Sequence, residues 1–201
     1  KEQNKKILCD QFGLDITKPL FVFIGRLVGE KAADILPDAI RTAIYQTQGN
    51  ACFLILGSGE TSIEWELQQM TNEYQGIYNA YIGYNEQLSH LIYAGADFLL
   101  MPSRVEPCGL NQMYAMRYGT VPVVRSTGGL KDTVTDMGDT DGFGIRFNNA
   151  TIDDLAYSIG RGVSVYKDKK HMEWMRKYMM QIDHSWESTV SEYRQVYQSL
   201  K

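Results

Sequence analysis

Two stretches of this sequence gather residue types able to bind an anion such as a diphosphate. Gly25-Arg26-Leu27-Val28-Gly29-Glu30-Lys31 follows an apolar run and precedes a helical pattern. Its Arg can grip phosphate through two parallel N–H bonds, and its Lys adds a compact point charge. A helix N-terminus beside them contributes partial positive charge. The combination suits a diphosphate; the alternative is a solvated turn with two surface cations. It is neither GxxxxGK[ST] nor GxGxxG, so a Walker loop and a dinucleotide fingerprint are both excluded. The second stretch is Met101-Pro102-Ser103-Arg104-Val105-Glu106-Pro107-Cys108-Gly109-Leu110. Pro107 pushes Glu106 out of the helical region and itself suits a first helical position. The spacing predicts a helix from about Cys108 to Tyr118. The N–H groups of Cys108, Gly109 and Leu110 are then open to an anion or a sugar hydroxyl. Glu106 becomes a carboxylate beside a positive helix end, either facing a ligand or capping the turn. Nothing nearby would activate Cys108 as a nucleophile, so a buried thiol is expected.

Three further loops could line the same crevice. Gly57-Ser58-Gly59 follows an apolar run and would let a ligand approach the backbone, or simply form a tight turn. In Gly83-Tyr84-Asn85 the aromatic can stack on a base or serve packing, and Asn85 suits an N-cap. Arg125-Ser126-Thr127-Gly128-Gly129-Leu130 is another Gly-rich turn before a helix and a possible anion cradle.

The elements that must position these loops are legible from periodicity. Leu20–Ile24, Ala51–Leu56, Phe98–Met101 and Val121–Val124 are apolar runs of buried strands. Weaker strands are expected at Ile77–Ile82 and around Gly142–Phe147. Helical spacing lies between them, and from Thr151 it continues with breaks near Lys167–Asp168 and Asp183–Ser185. Alternation of this kind implies right-handed βαβ units and a parallel sheet of about six strands covered on both faces, a Rossmann-like three-layer α/β/α fold. Ligands of such sheets bind at the carboxyl ends of the strands.

Composition narrows the function classes. With 201 residues, the whole of 1–201 is expected as a single domain. Hydrophobic residues make up 44% and charged residues 22%, which excludes a disordered chain. Net charge is −4 with no basic stripe, so no nucleic acid partner is expected. No apolar run reaches the length of a membrane span, so no membrane association is expected. Cys9, Cys52 and Cys108 show no CxxC spacing and the three His are dispersed. Reduced thiols, a cytoplasmic setting and no metal are the expectations. The opening KEQNKKILCD has neither an initiator Met nor a signal peptide's apolar core and reads as a piece of a longer protein.

Taken together, GRLVGEK at 25–31, PSRVEPCGLNQMYAMRYGTVPVV at 102–124 and STGGLKDTV at 126–134 resemble the carboxyl-terminal half of bacterial glycogen synthases and plant starch synthases. These are retaining glycosyltransferases of two Rossmann-like domains, the GT-B architecture. The resemblance runs from Asn4-Lys5-Lys6 to the closing SWESTVSEYRQVYQSL. It implies that Arg26 and Lys31 bind the diphosphate of a nucleotide sugar, ADP-glucose or UDP-glucose, and that Tyr84 lies against the base. It places Glu106 at the donor glucose. Cys108, Gly109 and Leu110 would face glucose and phosphate, and Gly57, Gly59, Ser126, Thr127, Gly128 and Gly129 would line the pocket.

The resemblance also implies that no metal or other cofactor is used and that a bacterial-type cytoplasmic enzyme extends an α-1,4-glucan at its non-reducing end. An amino-terminal domain would hold the glucan, and the closing segment, about 185–200, would pack toward it; this chain alone would be inactive. Many other retaining GT-B enzymes carry a second glutamate eight positions after the first, where this sequence has Tyr114. The pattern also departs at Ala32, where the family usually has Gly, and at Gly29-Glu30, where it often has Glu-Gln. Alternatives are another retaining GT-B glycosyltransferase, or a nucleotide-binding module without catalysis.

Overall fold

The structure is a computed structural model and describes residues 1–200. Six parallel strands form one sheet in the order β3-β2-β1-β4-β5-β6. They are β1 (Leu20–Leu27), β2 (Cys52–Gly59), β3 (Tyr78–Ile82), β4 (Phe98–Met101), β5 (Val121–Arg125) and β6 (Ile145–Phe147). The helices are α1 (Glu2–Phe12), α2 (Leu36–Gln46), α3 (Thr61–Glu73), α4 (Glu86–Gly95), α5 (Asn111–Arg117), α6 (Gly128–Thr133), α7 (Ile152–Lys167), α8 (Lys169–Gln181) and α9 (Trp186–Ser199). This is the expected Rossmann-like arrangement, in which strand order reverses between β1 and β4. The apolar runs are buried because helices cover both faces of the sheet; Leu20, Phe21 and Val22 of β1 and Phe53, Leu54 and Ile55 of β2 have no exposed surface. Phe21 stacks between Phe53 and Phe98, with ring centroids 5.7 and 4.5 Å away.

Three features differ from the periodicity, and the first two bear on the site. β1 and β2 continue past their apolar runs, pairing Gly25 with Gly57, Arg26 with Ser58 and Leu27 with Gly59. Arg26, Gly57 and Gly59 therefore belong to strands, not to the loops after them. The helix expected from Cys108 begins at Asn111, so residues 108–110 form an open loop. The third difference is α1, which periodicity did not indicate. Its inward face carries Lys5, only 5% exposed, where an amphipathic helix would carry an apolar residue.

Asp136 ties the segment before β6 to α7. Its carboxylate accepts from the N–H groups of Gly138 (2.9 Å) and Arg146 (2.6 Å) and from both Arg161 Nη atoms (3.0 and 2.7 Å). Burial works to raise its pKa, but Arg161 and the amide donors outweigh it and hold the carboxyl below the usual carboxylate range. A depressed carboxylate stabilises the fold above its unfolded pKa, about 3.9, and that contribution is lost as pH falls through the folded value. Asp136→Asn should cost about 2 kcal/mol near neutral pH. In urea unfolding the gap between variant and parent should shrink at about pH 3. A gap of the same size at both pH values would rule out the charged network.

Candidate donor-binding cleft

The crevice at the carboxyl ends of β1 and β4 contains two adjoining cavities. The larger, about 530 Å³, is lined by Arg26, Gly57, Ser58, Gly83, Tyr84, Asn85, His90 and Tyr114, among others. The smaller, about 140 Å³, is lined by Lys31, Ser103, Glu106 and Leu110. Ile24, Gly25 and Asn111 border both, so the two are continuous along one wall. A wider groove of about 900 Å³ lies between the end of α2 and α7 and includes none of the motif residues.

Lys31 and Glu106 meet in the smaller cavity. Lys31 sits at the end of a short 3₁₀ turn, Gly29–Lys31, and Glu106 lies in the loop after β4. Lys31 Nζ lies 2.7 Å from Glu106 Oε2, and the two side chains are only 20% and 12% exposed. Ser103 Oγ donates to the same carboxylate oxygen at 3.2 Å. Glu106 is thus a partner of a cation and not a helix cap. Ala32, next to Lys31, is buried and adopts a left-handed conformation (φ 52°, ψ 35°). Glycine accepts that conformation without the steric cost of about 1–2 kcal/mol borne by a Cβ. Arg26 is different: its side chain is 65% exposed and reaches Glu30 at 3.4 Å.

Tyr84 stands at the rim of the larger cavity and is 85% exposed, which discards the packing alternative. Asn85 caps α4 by accepting from the Leu88 N–H at 2.9 Å, as expected. Gly57 lines the cavity floor, but the Gly59 N–H donates to Glu64 at 2.7 Å and Gly59 is not among the lining residues.

The Thr127–Gly129 turn serves the site indirectly. A Cβ at Gly128 would stand 2.1 Å from the Glu106 carbonyl oxygen, and one at Gly129 would stand 1.9 Å from that of Cys108. The Gly129 N–H donates to the Glu106 carbonyl at 3.1 Å. These glycines let α6 press against the Glu106–Cys108 backbone, and the structure does not place them or Ser126 on either cavity. Buried Gln112 supports the loop from the other side, its Nε2 donating to Cys108 and Gly109 carbonyls at 3.1 and 3.0 Å. Of the loop residues Cys108, Gly109 and Leu110, only Leu110 lines either cavity.

Cys108 is exposed, which corrects the expected buried thiol. It lies in the open loop ahead of α5, so no helix packing covers it. Cys9 and Cys52 are buried and free.

Periodicity overlooked Asn111, which borders both cavities and donates to the Ile24 carbonyl at 2.8 Å. A helix taken to start at Cys108 hides it in the interior. It becomes recognisable only once α5 starts at Asn111. Among the described residues no group of three or more His, Cys, Asp or Glu could hold a metal ion, and no helix is long and apolar enough to cross a membrane.

The sheet order and the cleft define a Rossmann-like α/β domain of the GT-B type. The family model described as "Glycosyl transferases group 1" matches residues 18–164, and the chain belongs to that family. It is 56% identical to a glycogen synthase of Flavobacterium johnsoniae over 98% of this chain and 41% of that protein. It is 43% identical to a glycogen synthase of Rhodospirillum rubrum over the whole of this chain and 41% of the relative. Among solved structures it resembles the catalytic domain of starch synthase IV from Arabidopsis thaliana bound to ADP and acarbose. That match has a TM-score of 0.84 and 37% identity, and it covers 98% of this chain and 42% of the other. The chain therefore spans about two fifths of the length of the curated relatives it matches.

Proposed function

We propose that this chain is the donor-binding part of a glycosyltransferase of the glycogen and starch synthase type. The whole enzyme would transfer glucose from ADP-glucose, or UDP-glucose, to the non-reducing end of an α-1,4-glucan with retained configuration. The observation that carries this reading is the Lys31–Glu106 pair, held 2.7 Å apart beside a cavity that leads to Tyr84. The base lies against Tyr84, the diphosphate reaches toward Arg26 and Lys31, and glucose sits at Glu106. Lys31 and Arg26 stabilise charge on the departing diphosphate, an electrostatic role that calls for no metal. Glu106 orients the glucose and eases positive charge at its anomeric carbon. The ADP bound by the Arabidopsis starch synthase supports an adenine nucleotide at this cleft.

The acceptor would be held by a further domain, as the greater length of the relatives suggests. α9 supports that arrangement. It has no buried residue, and Trp186 (80% exposed), Val190, Tyr193 and Tyr197 recur along it at helical spacing as an uncovered apolar stripe. Without the second domain no acceptor is positioned, and the advantage of proximity is lost. The test is calorimetric titration of this chain with ADP and UDP side by side, followed by a glucose-transfer assay with and without the remaining part of the enzyme. Binding of ADP without turnover, and turnover on adding the missing part, is the expected result. Turnover by this chain alone, or failure to bind either nucleotide, would refute the reading.

Tyr84 offers a sharper test of the base site. Tyr84→Ala should weaken ADP binding by about 1–3 kcal/mol, the range for aromatic–base stacking, or roughly 5- to 150-fold. Tyr84→Phe keeps the ring and should bind almost normally. A Phe variant as weak as the Ala variant would show that the phenol oxygen matters and the stacking does not.

A further inference from the structure

We propose that Arg104 is a positioning residue that latches the loop carrying Lys31 to the loop carrying Glu106. The proposal rests on the donor-site reading of those two side chains. Lys31 and Glu106 are on loops after different strands, so nothing in either loop alone sets their separation. Arg104 bridges them. Its Nη1 donates to the Gly29 carbonyl and to Asp34 Oδ1, both at 2.5 Å, and its Nη2 donates to Asp34 Oδ2 at 2.8 Å. Its own N–H donates to the Glu30 carbonyl at 2.9 Å. The guanidinium thus holds both ends of the 29–34 segment, with Lys31 between them. Arg125 fixes the other side of the latch, its Nε donating to the Ser103 carbonyl at 2.8 Å and its Nη2 to the Arg104 carbonyl at 2.5 Å. The Arg104 backbone is therefore anchored to β5 while its side chain grips the loop after β1.

The latch is well made geometrically yet weakly placed for stability. Arg104 and Asp34 side chains are 39% and 44% exposed, and exposed ion pairs add little to folding. A bidentate fork still fixes orientation. Small displacements of catalytic groups cost rate steeply, about 100-fold for 1 Å. The latch should accordingly show in kinetics and hardly at all in thermal stability.

The experiment compares Arg104→Ala, Asp34→Ala, the double variant, Arg104→Lys and Lys31→Ala in the full-length enzyme. Arg104→Ala should raise the donor KM and lower kcat, with kcat/KM for donor falling about 10-fold or more. The glucan KM should not change, and the melting temperature should stay within about 3 °C of the parent. Asp34→Ala should show the same pattern more mildly, because the Gly29 contact survives, and the double variant should be no worse than Arg104→Ala. Arg104→Lys should restore little, since an ammonium cannot span Asp34 and Gly29 as a fork does. Lys31→Ala tests the underlying reading, and an unchanged donor KM and kcat there would remove the donor site itself. If Lys31→Ala is impaired but Arg104→Ala is normal, the latch alone is overturned. A loss in Arg104→Ala that tracks a large fall in melting temperature, with unchanged donor KM, would also overturn it.

Discussion

Glu106→Gln should lower turnover of the full-length enzyme by about 10²–10³-fold, the effect of removing one electrostatic group from a transition state, and should tighten ADP binding. The first half follows from the proposed place of Glu106 at the glucose, where positive charge develops. The second half follows from the ion pair. Glu106 Oε2 is 2.7 Å from Lys31 Nζ and both side chains are mostly buried, so the carboxylate competes with an incoming diphosphate for the same ammonium. Glutamine keeps the shape and an acceptor for Ser103, but it removes the competing charge and the repulsion of the anion. The gain in ADP affinity should be about 3- to 10-fold, which corresponds to at most about 1.4 kcal/mol. Steady-state kinetics and calorimetric ADP titration separate the two effects. Near-normal turnover would make Glu106 a mere holder of Lys31. Weaker ADP binding would mean that the carboxylate positions Lys31 more than it competes for it.

Asp97 should give the largest stability effect. It is 3% exposed and accepts from Lys5 Nζ (2.7 Å), the Leu20 N–H (2.9 Å) and Arg176 Nη2 (2.5 Å). It therefore joins α1, β1 and α8 at the amino end of the sheet. Lys5 also donates to the Lys18 carbonyl at 2.6 Å and the Tyr166 hydroxyl at 3.1 Å. Asp97→Asn should cost about 3–5 kcal/mol, because it leaves the buried Lys5 cation without its counter-charge. Burial of Lys5 works to lower its pKa, but the Asp97 charge and the hydrogen bonds to Asp97 and Tyr166 prevail and raise it. A base with a raised folded pKa contributes stability that is present below its unfolded value, about 10.4, and lost as pH rises through the folded value. In the variant the Asp97 charge is gone and burial is opposed only by the Tyr166 hydroxyl, so the Lys5 pKa falls and the variant gains stability as pH rises. The gap in chemical-denaturation free energy should thus narrow between about pH 7 and pH 10. A loss under about 1 kcal/mol, or a gap that widens with pH, would show that the network is not held by charge.

How much of this was legible beforehand depends on the range of the interaction. Strands buried on both faces must be apolar throughout, so β1, β2, β4 and β5 announced themselves as continuous runs. Their alternation with helical spacing determined a parallel sheet, and the motifs around Lys31 and Glu106 determined the family before any geometry was known. Asn85 and the helix breaks before α8 and α9 were local signals of the same kind.

What the sequence left undecided were contacts between distant segments. That Lys31 bonds Glu106, 75 positions away, depends on β1 and β4 being neighbours where the strand order reverses. α1 breaks the apolar pattern because one of its three buried positions, beside Leu8 and Cys9, is a lysine whose burial makes sense only with Asp97, 92 positions away. Gly59 was diverted to Glu64 because β2 continued its pairing past the apolar run. Cys108 became exposed and Asn111 reached the cleft because α5 started three residues late. Periodicity records which face of an element is apolar and so determined the layers. The partners of a charged or polar side chain are chosen by where the sheet brings separate loops together, and only the tertiary structure decided those.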